Sequence, residues 1–150
     1  MLHVTRMQSL AIDPPRRSIP WAIYHVRGGI SGFPSPAQDH EGRHIDLNEQ
    51  LIPRPTSTFM VTADGDSMQC PDGSGIYAGD RLLVDRSIDA DHGDIVIALV
   101  DGEMIVKELR CRHCPPALHS ANPHYTPIPL RDAQYQIWGV VTDILRRVRR

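Results

Sequence analysis

Short apolar runs separated by turn residues occupy the C-terminal two thirds of the chain, which is the pattern of antiparallel β-sheet proteins. A short helix is predicted for residues 45–52, just before Pro53. Asp101-Gly102 separates two apolar runs by two residues, which favours a tight hairpin between them. We predict strands at residues 58–63, 81–85, 94–100, 103–109, 117–120 and 134–141. The expected fold is mostly β, with twisted antiparallel sheets.

The first 31 residues differ from the rest because they show no sustained period and contain Pro14-Pro15 and Gly28-Gly29. They carry four arginines against one aspartate, whereas the remaining chain has twelve basic and seventeen acidic residues. A basic arm of this kind is expected to dock on an acidic body. Residues 31–37 are small and proline-rich, as in an extended linker. We therefore predict a flexible N-terminal arm at residues 1–31 and one folded domain at residues 32–150.

Two features of the composition indicate a soluble cytoplasmic protein. The sequence has no apolar run of about eighteen residues, and its start lacks the apolar core of a signal peptide. Its three cysteines cannot form a complete disulfide framework. We expect no contact with a membrane.

Cys111 and Cys114 have the spacing of half a zinc site. Three more residues have side chains that can ligate zinc: Cys70, His119 and His124. A structural site normally shows two regularly spaced ligand pairs, and two prolines directly after Cys114 indicate a loop. We therefore predict neither a metal nor another cofactor.

The candidate chemistry centres on Ser67, which lies in a polar turn after the predicted strand 58–63. We expect this turn to expose the hydroxyl to solvent as a nucleophile that needs a nearby base. Of the sixteen basic residues only Lys107 is a lysine, and a lysine, unlike an arginine, can lose its proton in a protein. Alternation along the predicted strand puts Lys107 on one face with Ile105 and Leu109, where burial would lower its pKa. The alternative is a lysine whose ammonium reaches water.

Several motifs follow one another along the chain: GFPSPA at 32–37, GDSM at 65–68, GD at 79–80 with VD at 84–85, HGDIVIA at 92–98 and VK at 106–107. In this order they resemble the UmuD branch of the LexA-like self-cleaving serine peptidases. The resemblance runs from about residue 32 to residue 141, and the sequence departs from it in having Ser31 where relatives usually have alanine or cysteine. A second departure is a longer segment at residues 69–78.

The resemblance implies a dimerising, mostly β domain with a catalytic dyad of Ser67 and Lys107. It also implies that the protein cleaves its own Ser31-Gly32 bond, stimulated by a RecA filament on single-stranded DNA. The shortened homodimer would then act with a UmuC-type polymerase in translesion synthesis, within the SOS response to DNA damage.

Three other interpretations remain open at this stage. The serine turn also resembles that of GDSL esterases, with Asp89 and His92 as an Asp-x-x-His pair, although those enzymes have an α/β fold. Signal peptidases share serine-lysine chemistry but carry a membrane anchor. A non-enzymatic β-rich binding subunit would leave Ser67 and Lys107 inert. The terminal arginines, residues 146–150, are typical of a solvated chain end, so we expect no direct nucleic-acid binding.

Overall fold

The structure, a computed structural model, describes residues 3–9, 18–20, 44–112, 115–131 and 133–149. The chain divides into two compact units, one of Met1–Ile12 with Arg54–Arg150 and one of Asp13–Pro53. The described elements are β1 (His3–Ser9), β2 (Ser18–Pro20), β3 (His44–Asp46), α1 (Leu47–Leu51), β4 (Thr58–Asp64), β5 (Arg81–Asp85), β6 (Ile95–Val100), β7 (Glu103–Arg110), β8 (Ala117–His119), β9 (Ile128–Pro129) and β10 (Tyr135–Leu145).

The larger unit is built on one eight-stranded antiparallel sheet with the order β1-β4-β5-β10-β6-β7-β8-β9. The first strand also pairs with β7, where His3 lies opposite Ile105. This extra pairing closes β1, β4, β5, β10, β6 and β7 into a ring, and β8 and β9 continue the sheet from β7. Both strands that flank the site described below, β4 and β7, therefore border β1.

Alternation along the strands divides the buried apolar residues into two clusters. Ile97 and Val106, which are cross-strand partners, belong to the first cluster, whereas Val96 and Ile105 belong to the second. Neighbouring residues of a strand point to opposite faces, so each strand supplies both clusters. The first cluster contains Val61, Ala63, Met68, Ile76, Leu82, Val84, Ile97 and Val106. The second contains Val96, Ala98, Val100, Ile105, Leu109, Leu118, Leu130 and Val140.

The smaller unit contains the β2–β3 ladder and α1. Ser18 lies opposite Asp46 in this ladder, and Asp46 is also the N-cap of α1. Its carboxylate accepts the Asn48 N–H at 2.8 Å, which satisfies a donor that the first turn of a helix leaves unpaired. Within the described residues, no helix has both the length and the apolar character needed to cross a membrane.

The predicted mostly β fold is confirmed, and all six predicted strands are present with ends that differ by up to four residues. The helix is confirmed at Leu47–Leu51. The hairpin turn is also present, with positive φ angles of 49° at Asp101 and 87° at Gly102, the backbone that glycine and aspartate tolerate best. Four strands were not predicted: β1, β2, β3 and β9. They are short or lack strict alternation, and β1 has a register shift between Val4 and Arg6.

Candidate active site

The serine turn begins where β4 ends at Asp64 and passes directly into the core. Met68, the residue after Ser67, is buried in the first apolar cluster with 2% of its surface exposed. Its carbonyl accepts the N–H of Ile76 at 2.9 Å, and Ile76 is buried in the same cluster. The buried Met68 side chain after Ser67 and strand β4 before it hold the turn in place.

The Ser67 side chain is fully buried, at 0% exposure. The sequence-based expectation of a solvent-facing hydroxyl is therefore wrong. The cause is the neighbouring Met68, whose burial draws the turn onto the sheet. There Ser67 contacts the lysine that the sequence analysis paired with it.

Lys107 lies in the middle of β7, opposite Val96 of β6. On its other edge β7 pairs with β1 at Ile105 and with β8 from Glu108 onward. Among the described residues, no strand pairs with Val106 or Lys107 on that second edge. The serine turn that follows β4 approaches Lys107, so a turn and a strand far apart in sequence supply the two side chains.

The two side chains form a buried contact, in which Lys107 Nζ donates to Ser67 Oγ at 2.6 Å. Lys107 is 1% exposed. Burial lowers the pKa of Lys107 from 10.5 to about 8, because an ammonium loses its hydration there, while the nearby Asp66 carboxylate opposes the shift. A substantial fraction of this amine is therefore neutral near pH 8, and a neutral amine can accept the serine proton.

Asp66 and Tyr125 form a polar edge beside this contact. The Tyr125 hydroxyl donates to Asp66 Oδ1 at 2.5 Å, and this hydrogen bond to a carboxylate raises the pKa of Tyr125. The centroid of the Tyr125 ring lies 5.5 Å from Lys107 Nζ, within the range in which a ring face attracts a cation. The Asp66 carboxylate favours the charged lysine and so limits how far burial lowers its pKa.

Asn122 fixes the backbone of the serine turn. Its N–H donates to the Ser67 carbonyl at 3.0 Å, and its side-chain amide donates to the Asp66 carbonyl at 3.2 Å. Its side-chain oxygen in turn accepts the N–H of His124 at 3.0 Å. This role of Asn122 was not predicted from the sequence. The signal that was available is the Asn-Pro pair with Pro123, which indicates a turn.

These carbonyl contacts orient the peptide planes around Ser67. In a trans peptide the N–H points away from the C=O of the same unit. The Ser67 carbonyl faces Asn122, so the Met68 N–H of that unit points to the opposite side. A backbone donor fixed in this way can stabilise an oxyanion formed near the serine.

The segment after the serine, residues 69–80, folds into a compact loop. Gly75 has a φ of +92°, and a Cβ on it would lie 2.3 Å from the Met68 carbonyl oxygen, so only glycine fits here. Arg146 donates to the Gly75 carbonyl at 2.9 Å and forms an ion pair with the buried Asp80. Burial alone would raise the pKa of Asp80, but hydrogen bonds from Arg146 and from the Tyr77 N–H outweigh it and lower the pKa. Arg146, the residue directly after β10, therefore anchors the loop that follows Ser67.

Of the other sequence-predicted residues, His92 lies outside this site. Ser31 and Gly32 lie outside the described residues. His92 Nδ1 accepts the N–H groups of Cys111 and Arg112 at 3.0 and 3.2 Å, so this nitrogen is engaged by the backbone at the end of β7. The antiparallel sheet also differs from the α/β fold of the GDSL esterases.

The cysteines with the spacing of half a zinc site, for which no metal was predicted, are only partly described. Cys114 lies outside the described residues, whereas Cys111 and Cys70 are free thiols. In the part of the chain that the structure describes, no group of three His, Cys, Asp or Glu residues is arranged to hold a metal ion.

Comparison with known proteins gives a match to the family described as Peptidase S24-like over residues 24–142. The chain is 43% identical to Protein ImpA of Salmonella typhimurium over 119 residues, 79% of each chain. It is 43% identical to Protein SamA of Salmonella typhimurium (strain LT2) over 119 residues, 79% of this chain and 81% of the relative. It is 39% identical to Protein MucA of Escherichia coli over 130 residues, 85% of this chain and 84% of the relative. The chain therefore belongs to the Peptidase S24-like family of serine peptidases, in the UmuD-like group that its motifs indicated.

Proposed function

We propose that this protein cleaves its own Ser31-Gly32 bond, with Ser67 as nucleophile and Lys107 as general base. The single observation that carries the proposal is the 2.6 Å contact between Ser67 Oγ and Lys107 Nζ in a buried site. A buried amine with a pKa of about 8 suits a general base, since its neutral form is present near neutral pH. Family membership as a serine peptidase supports the same chemistry.

The first half of the reaction forms an acyl-enzyme. Ser67 Oγ attacks the carbonyl carbon of Ser31 while its proton moves to neutral Lys107 Nζ, which becomes an ammonium. The tetrahedral intermediate then collapses, the bond to the Gly32 nitrogen breaks, and the ammonium returns the proton to the leaving amine. Residues 32–150 gain a new amino terminus, and residues 1–31 remain as an ester on Ser67.

The second half restores the serine. Water attacks the ester carbonyl while neutral Lys107 takes its proton, and the collapse of the intermediate returns that proton to Ser67 Oγ. The arm leaves with a C-terminal carboxylate. In both halves the negative oxygen would be stabilised by the Met68 N–H and the Ser67 N–H, with Asn122 holding the Ser67 carbonyl on the far side.

The biological role proposed here follows the UmuD-like relatives and the motifs. A RecA filament on single-stranded DNA would stimulate the cut in the cytoplasm. The shortened homodimer of residues 32–150 would join a UmuC-type polymerase for translesion synthesis and SOS mutagenesis. Ser31 is small and Gly32 has no side chain, so the backbone at this bond can enter a narrow cleft.

Intact mass spectrometry of the purified protein, incubated with and without a RecA–single-stranded DNA filament, tests this proposal. We expect two products, residues 1–31 and 32–150, that form faster with the filament and do not form in Ser67→Ala. Replacing Gly32 with tryptophan should block the cut without changing the circular dichroism spectrum. An unchanged mass under all conditions would instead favour the non-enzymatic β-rich binding subunit.

A further inference from the structure

The N-terminal strand β1 occupies the edge of β4, the strand that leads to Ser67. Its register extends along the whole strand, from His3 opposite Asp64 to Ser9 opposite Phe59. Val4 lies opposite Ala63 and Met7 opposite Val61, and both partners on β4 belong to the first buried cluster. A segment of this chain therefore fits the β4 edge in an extended, antiparallel conformation.

The cut proposed above would break the covalent connection between β1 and the rest of the sheet. All residues of β1 precede the Ser31-Gly32 bond, so after cleavage the arm would be held by non-covalent contacts, which include the pairing of β1 with β4 and of β2 with β3. Before the cut, the connecting chain keeps β1 at a high effective concentration beside β4, and afterwards dilution favours its release. Cleavage thus turns an intramolecular strand into a dissociable ligand.

Release of β1 would leave β4 with unpaired backbone groups along one edge. An open edge of this kind pairs readily with another extended chain. Val61 and Ala63, at 0% and 1% exposure, lie on this strand and need apolar neighbours. The open β4 edge therefore favours an extended peptide with apolar residues opposite Val61 and Ala63.

We propose that the edge of β4 is a peptide-binding site that self-cleavage opens. The uncut chain fills it with its own residues His3–Ser9, and the cut chain binds an extended segment of a partner protein in the same register. Apolar residues of that segment take the register positions of Val4 and Met7, opposite Ala63 and Val61. This inference rests on the proposed cleavage for its timing, but the site itself is defined by the pairing of β1 with β4.

A fluorescent peptide of residues 1–12 is the probe for this site. In fluorescence anisotropy it should bind the cut wild-type protein, freed of its arm, at least tenfold more tightly than the uncut Ser67→Ala chain. A peptide of the same composition in scrambled order should not bind. Hydrogen exchange should show the amides of β4 exchanging faster after the cut and protected again by the peptide.

A second variant tests the site without any cleavage. In Ser67→Ala, Met7→Pro removes a backbone donor from β1 and should free the β4 edge, so the uncut double variant should bind the peptide. Asp13→Pro in the same background is the control, because it places a proline outside β1, and it should not bind. Unchanged exchange in β6 and β10, neither of which borders β1, establishes that each variant is folded.

The outcomes separate this inference from the proposed function. If wild type is never cut but the Met7→Pro double variant binds, the cleavage proposal fails and the binding site stands. Equal binding to uncut and cut protein overturns the inference. So does a cut protein whose β4 amides stay protected without peptide, since a second copy or another part of the chain would then cover the edge.

Discussion

Asn122 holds the carbonyl of Ser67 with its backbone N–H at 3.0 Å and the carbonyl of the preceding Asp66 with its side-chain amide at 3.2 Å. One residue from the loop after β8 thus fixes both peptide units around the proposed nucleophile. The position of the Met68 N–H depends on this arrangement, because it belongs to the same peptide unit as the Ser67 carbonyl.

Asn122→Ala tests that relationship. The variant loses the bonds to Asp66 and His124 but keeps the backbone bond to Ser67, so we expect cleavage to slow about tenfold and the free energy of unfolding to fall by about 1 kcal/mol. His124→Ala is the matched control, because His124 contacts Asn122 through its backbone. Cleavage assays and urea denaturation measure the two effects. An Asn122→Ala protein that cleaves at the wild-type rate would show that the Asn122 side chain does not contribute to catalysis.

Asp66→Asn should move the pH dependence of cleavage. The Asp66 carboxylate raises the pKa of Lys107 against the larger effect of burial, so its removal lowers that pKa further below 8. The midpoint of the rate against pH should then shift to lower pH, while the shape-matched asparagine can still accept from Tyr125. Asp89→Asn, a change at an exposed carboxylate, should leave the midpoint unchanged. A shift to higher pH in Asp66→Asn would contradict the proposed electrostatics.

Lys107 should also make the stability of the protein depend on pH. Its pKa is about 8 in the folded protein and about 10.5 when unfolded, so the unfolded chain binds more protons between these values. Stability therefore rises with pH across this window, by about 3 kcal/mol from this group alone. Lys107→Met removes this pH-dependent contribution. The difference in the free energy of unfolding between wild type and Lys107→Met, measured by urea denaturation at each pH, isolates it. A difference that does not change between pH 8 and pH 10 would mean that the folded pKa is not lowered.

The sequence was sufficient to predict the central strands because these depend on local signals, whereas the contact of Ser67 with Lys107 was predicted from the single lysine and from family motifs. Branched aliphatic runs identify β5, β6 and β7, and the Asp101-Gly102 turn sets the register of the hairpin that carries Lys107. The single lysine reduced the choice of amine base to one residue. Family motifs then supplied the link between positions 40 residues apart.

Two features were not accessible from the sequence because they depend on tertiary contacts. The burial of Ser67 follows from the packing of Met68 against strands that are distant in sequence, which no local pattern reveals. Likewise, β1 is a strand because β4 and β7 offer it partners, whereas its own residues lack strict alternation. Tertiary pairing of this kind overrides weak local propensity.

The ion pair of Arg146 with Asp80 should contribute more to stability than the rest of the arginine-rich C-terminus. Arg146→Leu leaves the buried Asp80 carboxylate with the Tyr77 N–H as its remaining described donor. The free energy of unfolding should therefore fall by about 2 kcal/mol. Arg147→Leu changes an exposed neighbour, so it should lower the free energy of unfolding by less than about 0.5 kcal/mol, as is usual at surface positions. Urea denaturation at pH 7 compares the two. Equal effects would show that the Arg146 contact is not specific.

The same ion pair predicts an acid sensitivity. The pKa of Asp80 is lowered in the folded protein, so the stability it contributes is present above the unfolded value of 3.8 and is lost as pH falls through the folded value. In Arg146→Leu this loss should shrink, because the hydrogen bonds from the guanidinium no longer lower the pKa. Denaturation at pH 7 and pH 3 measures it, and an unchanged pH dependence would contradict the assignment.

The rate of self-cleavage against pH in wild type and in Lys107→Arg is the most direct test of the central claim. Without a filament, the wild-type rate should rise about tenfold per pH unit below pH 8 and level off above it, as the amine becomes neutral. Lys107→Arg keeps the charge but cannot lose its proton, so its mass should stay constant at every pH. Folding of the variant is verified by its hydrogen exchange. A folded arginine variant that cleaves with the wild-type pH profile would contradict the Ser67–Lys107 dyad.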